Sequence, residues 1–447
     1  MKLQQFEALL LQASKEANLQ QAEMYAERST SLLIKVYNQD VDAYETSQQG
    51  GVSFRAVHQG KMGYAYTEKI TEDSIPFLIE AVKENAEVLE VEDETTIFTG
   101  STDYAQGDFY KPKAAAATPE QMITLLRNIE KEIKAYDERI ISVNYCQLQQ
   151  YEGERQLANS LGLHLYEKGN GLIVLANAVA KSNQETKTGA HSAQIHDITT
   201  FDWQTFAQQV AKNAIALLGG QSLPSASYPV ILENKAAVSL LSVYTNAFSA
   251  EQVQKGMSRL DKQVGKQIAS SVLTIIDEPR YKEALTQTTF DAEGVATIPT
   301  TIIKQGYLQT FLHNRQTAKK AGETTTGHAA KASYKDTLSV APHHFVVQQG
   351  TESFQKMMST ITNGILIHSL TGLHAGANSV SGDFSLAATG FHIKDGNIAS
   401  ALKQMTIAGN FFTLLQDVQQ VSNDVYVGFG SVSSPSWYLP SLAVTIE

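Results

Sequence analysis

The side chains able to do chemistry are few and widely spread along the 447 residues. His343 and His344 are adjacent, and neighbours on a strand point to opposite faces, so the two cannot readily serve one metal. His368 and His374 are separated by a Thr-Gly turn, and His191 and His196 have no carboxylate between them. Each reads as an ordinary surface or hydrogen-bonded histidine, and no HExxH occurs. Asp291 and Glu293, in FDAEGV, sit at strand spacing and would share a face, where paired carboxylates can act as acid and base. The alternative is a solvated turn, because Gly294 follows at once. Gly382-Asp383-Phe384-Ser385 could cradle an anion with its backbone. It is not a phosphate loop, since no Lys-Ser/Thr follows. Glycines there let another backbone approach closely, and Ser385 lacks the Gly-x-Ser-x-Gly setting of a serine nucleophile.

The element that should position such chemistry is a helix over Lys235–Lys255. Ala237, Leu240, Leu241, Tyr244 and Phe248 recur at helical spacing, with Asn234 as N-cap and Gly256 as stop. The opposite face carries Ser242, Val243, Thr245, Asn246 and Ser249, none of which holds a metal or acts as a strong base. Before this helix, a first amphipathic helix leads into three antiparallel strands and a helix from Glu72 to Leu89. An acidic, aperiodic connection runs from Glu90 to Ala117. Thr118-Pro119-Glu120-Gln121 then starts a helix through Tyr136. Strands return, with a hairpin turn at Lys168–Gly171 and a helix from Asp202 to Leu218. After a boundary at Gln221–Pro229 the chain becomes β-rich and glycine-punctuated, as a large, partly closed antiparallel sheet would be.

The length favours two domains. One cysteine, Cys146, excludes an internal disulfide and a Cys-based metal site, which suits a reducing cytoplasm. The net charge of −11 argues against direct nucleic-acid binding, which rests on clustered Lys and Arg. No apolar run is long enough to span a membrane, and the N-terminus lacks the pattern of a signal peptide.

Three blocks together resemble a known family. These are FDAEGVATIPTTIIKQGYLQTFLHNRQTAKKAG with GHA after it, SGDFSLAATGFHIKDGNI, and TIAGNFFTLLQDVQQVSND. The strands from Tyr25 to Thr67 match as well. The family is the TldD/PmbA group of metallopeptidases, also labelled modulators of DNA gyrase. The resemblance implies an α+β fold: an N-terminal α+β domain (1–220) and a C-terminal domain (221–447) on a large, curved, mostly antiparallel sheet.

In TldD-type members a helix carries HExxxH, whose histidines bind zinc while the glutamate serves as base, and a cysteine adds a third ligand. Counted from Leu240-Leu241, those positions fall here on Ser242, Val243 and Ala247. The chain therefore resembles the PmbA/TldE branch, which has no zinc site of its own. The implied role is a subunit of a cytosolic zinc peptidase that handles small or unfolded peptides, including leader peptides. Zinc is expected only in a TldD-type partner. The cavity wall is expected to use His374, Gly382, Asp383, Phe384 and Ser385, with Asp291, Glu293 and Gly294 nearby. Two other readings are a stand-alone peptide-binding homodimer and a metal-independent hydrolase using Asp291 and Glu293.

Overall fold

The computed structural model describes residues 1–89 and 96–447. The acidic start of the connection read from Glu90, residues 90–95, lies outside the described residues. Helix α1 (Leu3–Glu16) buries Phe6 and Leu10. The antiparallel strands β1 (Gln21–Tyr37), β2 (Asp40–His58) and β3 (Lys61–Thr67) follow. Helix α2 (Ile75–Glu87) carries Pro76 in its first turn, where the missing N–H has no partner to lose. Helix α3 (Pro119–Tyr136) begins as the sequence predicts. The Thr118 hydroxyl accepts from the Gln121 N–H while the Gln121 side chain accepts from the Thr118 N–H.

Strands β4 (Ile140–Asn159), β5 (His164–Ser182) and β6 (Glu185–Gln194) complete a six-stranded antiparallel sheet in the order β3-β2-β1-β4-β5-β6. Helix α4 (Trp203–Ile215), capped by the Asp202 carboxylate, packs on it. The turn expected at Lys168–Gly171 does not form. Strand β5 runs straight through, with Gly169 opposite Gly153 and Gly171 opposite Tyr151 of β4. The Tyr151 ring covers Gly171 so closely that a Cβ there would lie 2.5 Å from it. These glycines thin the sheet and do not reverse it.

The second half contains β7 (Ala226–Leu232), α5 (Asn234–Tyr244), β8 (Ile275–Asp277), β9 (Thr300–Lys304), β10 (Tyr307–Leu308) and β11 (Phe345–Val347). It continues with β12 (Asn363–Thr371), β13 (Asp383–Lys394), β14 (Asn397–Ala401), β15 (Met405–Asn410) and α6 (Phe411–Asp417). Strands β16 (Tyr426–Val427), β17 (Val432–Ser434) and β18 (Trp437–Ile446) end it. The main sheet is ordered β12-β7-β18-β15-β13-β14, and β12 also pairs with β13, so it curls until it meets itself. Within it only β7 and β12 run parallel. A smaller sheet, β10-β9-β8-β11-β17-β16, stands beside it. The architecture is the expected α+β one, with a curved and mostly antiparallel second sheet.

The helix read over Lys235–Lys255 is not continuous. Glu233, rather than Asn234, occupies the N-cap, and α5 ends at Tyr244. A 3₁₀ turn (Thr245–Phe248) and a short helix (Ala250–Gln254) follow. The break has a tertiary cause. Ser249 is extended and bridges Leu312, with Phe248 O accepting from Leu312 N–H and Leu312 O accepting from Ala250 N–H. A helix cannot make those bonds without unwinding.

Candidate functional site

One side of α5 is buried against the curled sheet through Ala236, Ala237, Leu240, Leu241 and Tyr244. Val238, Ser239, Ser242 and Val243 form one wall of a cleft of about 630 Å³, and Leu373, His374 and Tyr426 face them. Two of the three positions counted as zinc ligand or base, Ser242 and Val243, thus lie in the cleft with His374. The third, Ala247, is buried beyond the helix end, where its carbonyl accepts from the Ser258 hydroxyl. This donor set does not fit zinc. The Ser239 and Ser242 hydroxyls donate to the carbonyls four residues back, at 2.8 and 2.7 Å. His374 is the one imidazole among the described residues lining the cleft, and zinc requires several imidazole, thiolate or carboxylate donors converging on it.

The Gly382–Ser385 segment backs this helix. The Tyr244 ring stacks on Phe411 with centroids 4.1 Å apart. Its hydroxyl donates to the carbonyls of Gly382 and Asp383 at 3.2 and 3.3 Å. Gly382 has φ +84°, and a Cβ there would lie 2.5 Å from the Phe412 ring, so glycine is required twice over. Phe384 is buried in the core, whereas Asp383 and Ser385 are exposed. Hydrogen bonds from Asn410 and Ser381 hold the Asp383 carboxyl below its ordinary range. Tyr244→Phe should cost about 0.5–1.5 kcal/mol. Each carbonyl keeps another donor, the N–H of Phe411 on Gly382 O and that of Asn378 on Asp383 O. Urea unfolding measures the loss, and a cost above about 3 kcal/mol would mean the hydroxyl does more than this.

Asp291 and Glu293 do not share a strand face and are not solvated. Both are buried, in a turn between Phe290 and Ala296 that meets the N-terminal sheet. Asp291 Oδ1 accepts from the Glu293 and Val295 N–H groups, and Oδ2 from Ala329 N–H. Burial, then the charge of Glu293, pushes the Asp291 carboxyl up to about 7 against these donors. Glu293 Oε2 accepts from Arg315 N–H, and Oε1 lies 4.0 Å from Arg55 Nη1. Gly294, at φ +81°, presses on Leu163, and its carbonyl accepts from the Tyr104 hydroxyl. Asp291 thus braces its own turn, while Glu293 and Gly294 meet the N-terminal half through Arg55, Tyr104 and Leu163.

Around this seam Arg55 Nε donates to Glu23 Oε1 at 2.7 Å. Lys331 Nζ donates to Ser53 Oγ and lies over the rings of Tyr25 and Tyr64. Desolvation and the Arg55 charge push the Lys331 ammonium down to about 7.

Beside the seam is a cavity of about 1510 Å³ between the halves. Its charged walls include Glu27, Arg28, Glu154, Arg155, Glu167 and Lys335. His343 faces it, while the His344 Nε2 meets Ser433 Oγ at 2.6 Å, so the two rings part as expected. His191 Nδ1 lies 3.3 Å from Lys235 Nζ, and His368 Nδ1 lies 2.5 Å from Glu233 Oε2. Burial and the Lys235 charge push His191 down to about 4. Sequence reading missed Asp277 and His328, which meet His343 in space. Their separation of 51 residues left no local pattern to find.

Three family models match the chain. They are PmbA/TldA metallopeptidase domain 1 at residues 22–86, the central domain at 112–218 and the C-terminal domain at 225–446. The Escherichia coli O157:H7 protein named Metalloprotease PmbA is 24% identical over 413 residues, covering 90% of this chain and 88% of that protein. A Metalloprotease PmbA homolog of Haemophilus influenzae is 25% identical over the same shares. A crystal structure from Thermotoga maritima, described as a proposed modulator of a DNA gyrase, superposes with a TM-score of 0.92. It is 27% identical and covers 99% of this chain and 100% of that one. The fold also matches TldE from Thermococcus kodakarensis, with a TM-score of 0.90, 21% identity and coverage of 98% and 100%.

Proposed function

The chain belongs to the PmbA/TldD metallopeptidase family, and from that premise we propose that it is the PmbA/TldE-type subunit of a two-component zinc peptidase. It leaves the metal and the general base to an HExxxH-bearing partner. Its own part is to complete the chamber in which small or unfolded peptides, leader peptides among them, are held. One observation carries this reading: α5 offers the cleft Val238, Ser239, Ser242 and Val243, with both hydroxyls already committed to backbone carbonyls. The cavity of about 1510 Å³ supports the peptide part. It exceeds the roughly 300–1,000 Å³ typical of small-molecule sites, and its mixed charges suit a polar backbone better than an apolar ligand.

The setting proposed for this subunit is the cytosol; no helix among the described residues is long and apolar enough to cross a membrane. The burial of Asp291 and Glu293 under backbone donors weighs against a metal-independent hydrolase built on them. The test is a peptidase assay on an unfolded peptide with the chain alone, an HExxxH homologue alone, and the two mixed. Cleavage should require the mixture and copurification of the pair. Equal cleavage by the chain alone overturns the subunit reading.

A further inference from the structure

We propose that Asp277, His328 and His343 form a binding site for a divalent first-row transition metal ion at the wall of the cavity between the two halves. The site is separate from the α5 cleft and does not rest on the subunit reading. Its residues come from the end of β8, the residue before Ala329 and the loop entering β11. One donor atom of each lies within 4.8 Å of the other two. Two imidazoles and one carboxylate are a donor set suited to zinc, iron, cobalt or nickel, and poorly suited to magnesium or calcium, which take oxygen ligands.

The surroundings do what outer groups do at a metal centre, which is to fix the orientation and tautomer of each ligand. His343 Nε2 is 2.7 Å from the Gly327 carbonyl. A carbonyl only accepts, so Nε2 carries the hydrogen and Nδ1 keeps its lone pair. His328 Nδ1 is 2.8 Å from Thr326 Oγ1, and its Nε2 is 2.7 Å from Asp277 Oδ2. Without an ion the Asp277 carboxylate, which only accepts, takes a hydrogen from His328 Nε2. An entering ion would displace that hydrogen, leaving the imidazole to donate Nδ1–H to Thr326 Oγ1 and to bind through Nε2. Asp277 is itself gripped, Oδ1 by the His344 N–H at 2.8 Å and Oδ2 by the His343 N–H at 3.2 Å. Asp277 and His328 are fully buried, while His343 and Pro342 border the cavity. That side supplies room for a water or a ligand atom to complete the coordination, as in three-ligand sites.

The rival is a plain hydrogen-bonded aspartate–histidine pair that takes no ion. Full-length protein, stripped with chelator, is given a small excess of zinc, passed over a desalting column and analysed for bound metal, with its thermal midpoint recorded. About one zinc per chain should remain in the natural protein, and zinc should raise its midpoint. His343→Ala, at the cavity edge, should lose both effects, and Thr326→Val should bind about 10–100-fold more weakly. His374→Ala, in the other cleft, should keep both. Absence of stoichiometric zinc in the natural protein overturns the proposal. So does full retention in His343→Ala, or loss in His374→Ala.

Discussion

Arg55→Met should lower the folding free energy by about 3–5 kcal/mol, the cost of leaving a buried ion without its partner. The side chains of Arg55 and Glu23 are 8% and 2% exposed, so water cannot take over what the guanidinium now does. Glu23 Oε2 has no partner among the described residues, and the Nε–Oε1 bond of 2.7 Å holds the rest of that carboxylate. Glu293 would also lose the positive charge 4.0 Å from its Oε1. Because the pair sits on β1 and β2 and Glu293 on the opposing turn, the damage should fall on the contact between the halves. Replacing both partners, Glu23→Leu with Arg55→Met, should recover the part of the loss that comes from the stranded Glu23 carboxylate, while Glu293 stays without its neighbouring charge. Urea denaturation of the three proteins decides it. A single-variant loss below about 1 kcal/mol would mean that water reaches the pair.

Asp291→Asn should change how stability depends on pH. A carboxyl raised to about 7 by burial and by Glu293 keeps its proton in the folded chain at pH values where the unfolded chain has released it. The folded state then binds more protons across that window, so this group's contribution falls as pH rises from about 4 to about 7. A shift of about three units corresponds to something on the order of 4 kcal/mol. His191, pushed down to about 4, acts in the opposite sense, with stability lost on acidification below its ordinary value. Its effect is common to both proteins and cancels in their difference. Asparagine opposes an N–H to the Ala329 N–H, so the variant should be the weaker at pH 5. The gap between the two proteins should shrink towards pH 8. Parallel stability profiles from pH 5 to pH 8 would show that Asp291 is ionised throughout.

Local signals were legible where one segment determines its own structure. The reciprocal cap at Thr118 and Gln121 and the stripe from Met122 to Ile133 needed no distant partner. Strand composition and glycine-bearing turns likewise revealed β1 to β3, although only β3 alternates in burial, while residues 22–26 of β1 and 51–56 of β2 are buried without a break. Readings failed where a distant segment intervenes. Ser249 leaves the helical path because Leu312 supplies a bridge. Gly169 and Gly171 continue a strand because β4 lies beside them. Asp291 and Glu293 read as a solvated turn or an acid/base pair on one strand face, yet both are buried, with Ala329, Arg315 and Arg55 at their oxygens. At the candidate site, the residues that α5 turns to the cleft could be read from one helix. The approach of Asp277, His328 and His343 could not, because it depends on three loops meeting.

The pairing of β12 with β13 limits how a substrate could be caught. A ribbon that joins its own ends exposes no long row of amides for a guest strand to zip against. Main-chain capture is then left to the outer flank of β14, to β10 and β16 at the edges of the smaller sheet, and to β3 and β6, the rims of the N-terminal sheet. Crosslinks from a bound peptide should therefore cluster on those rims and be absent from the staves of the closed ring.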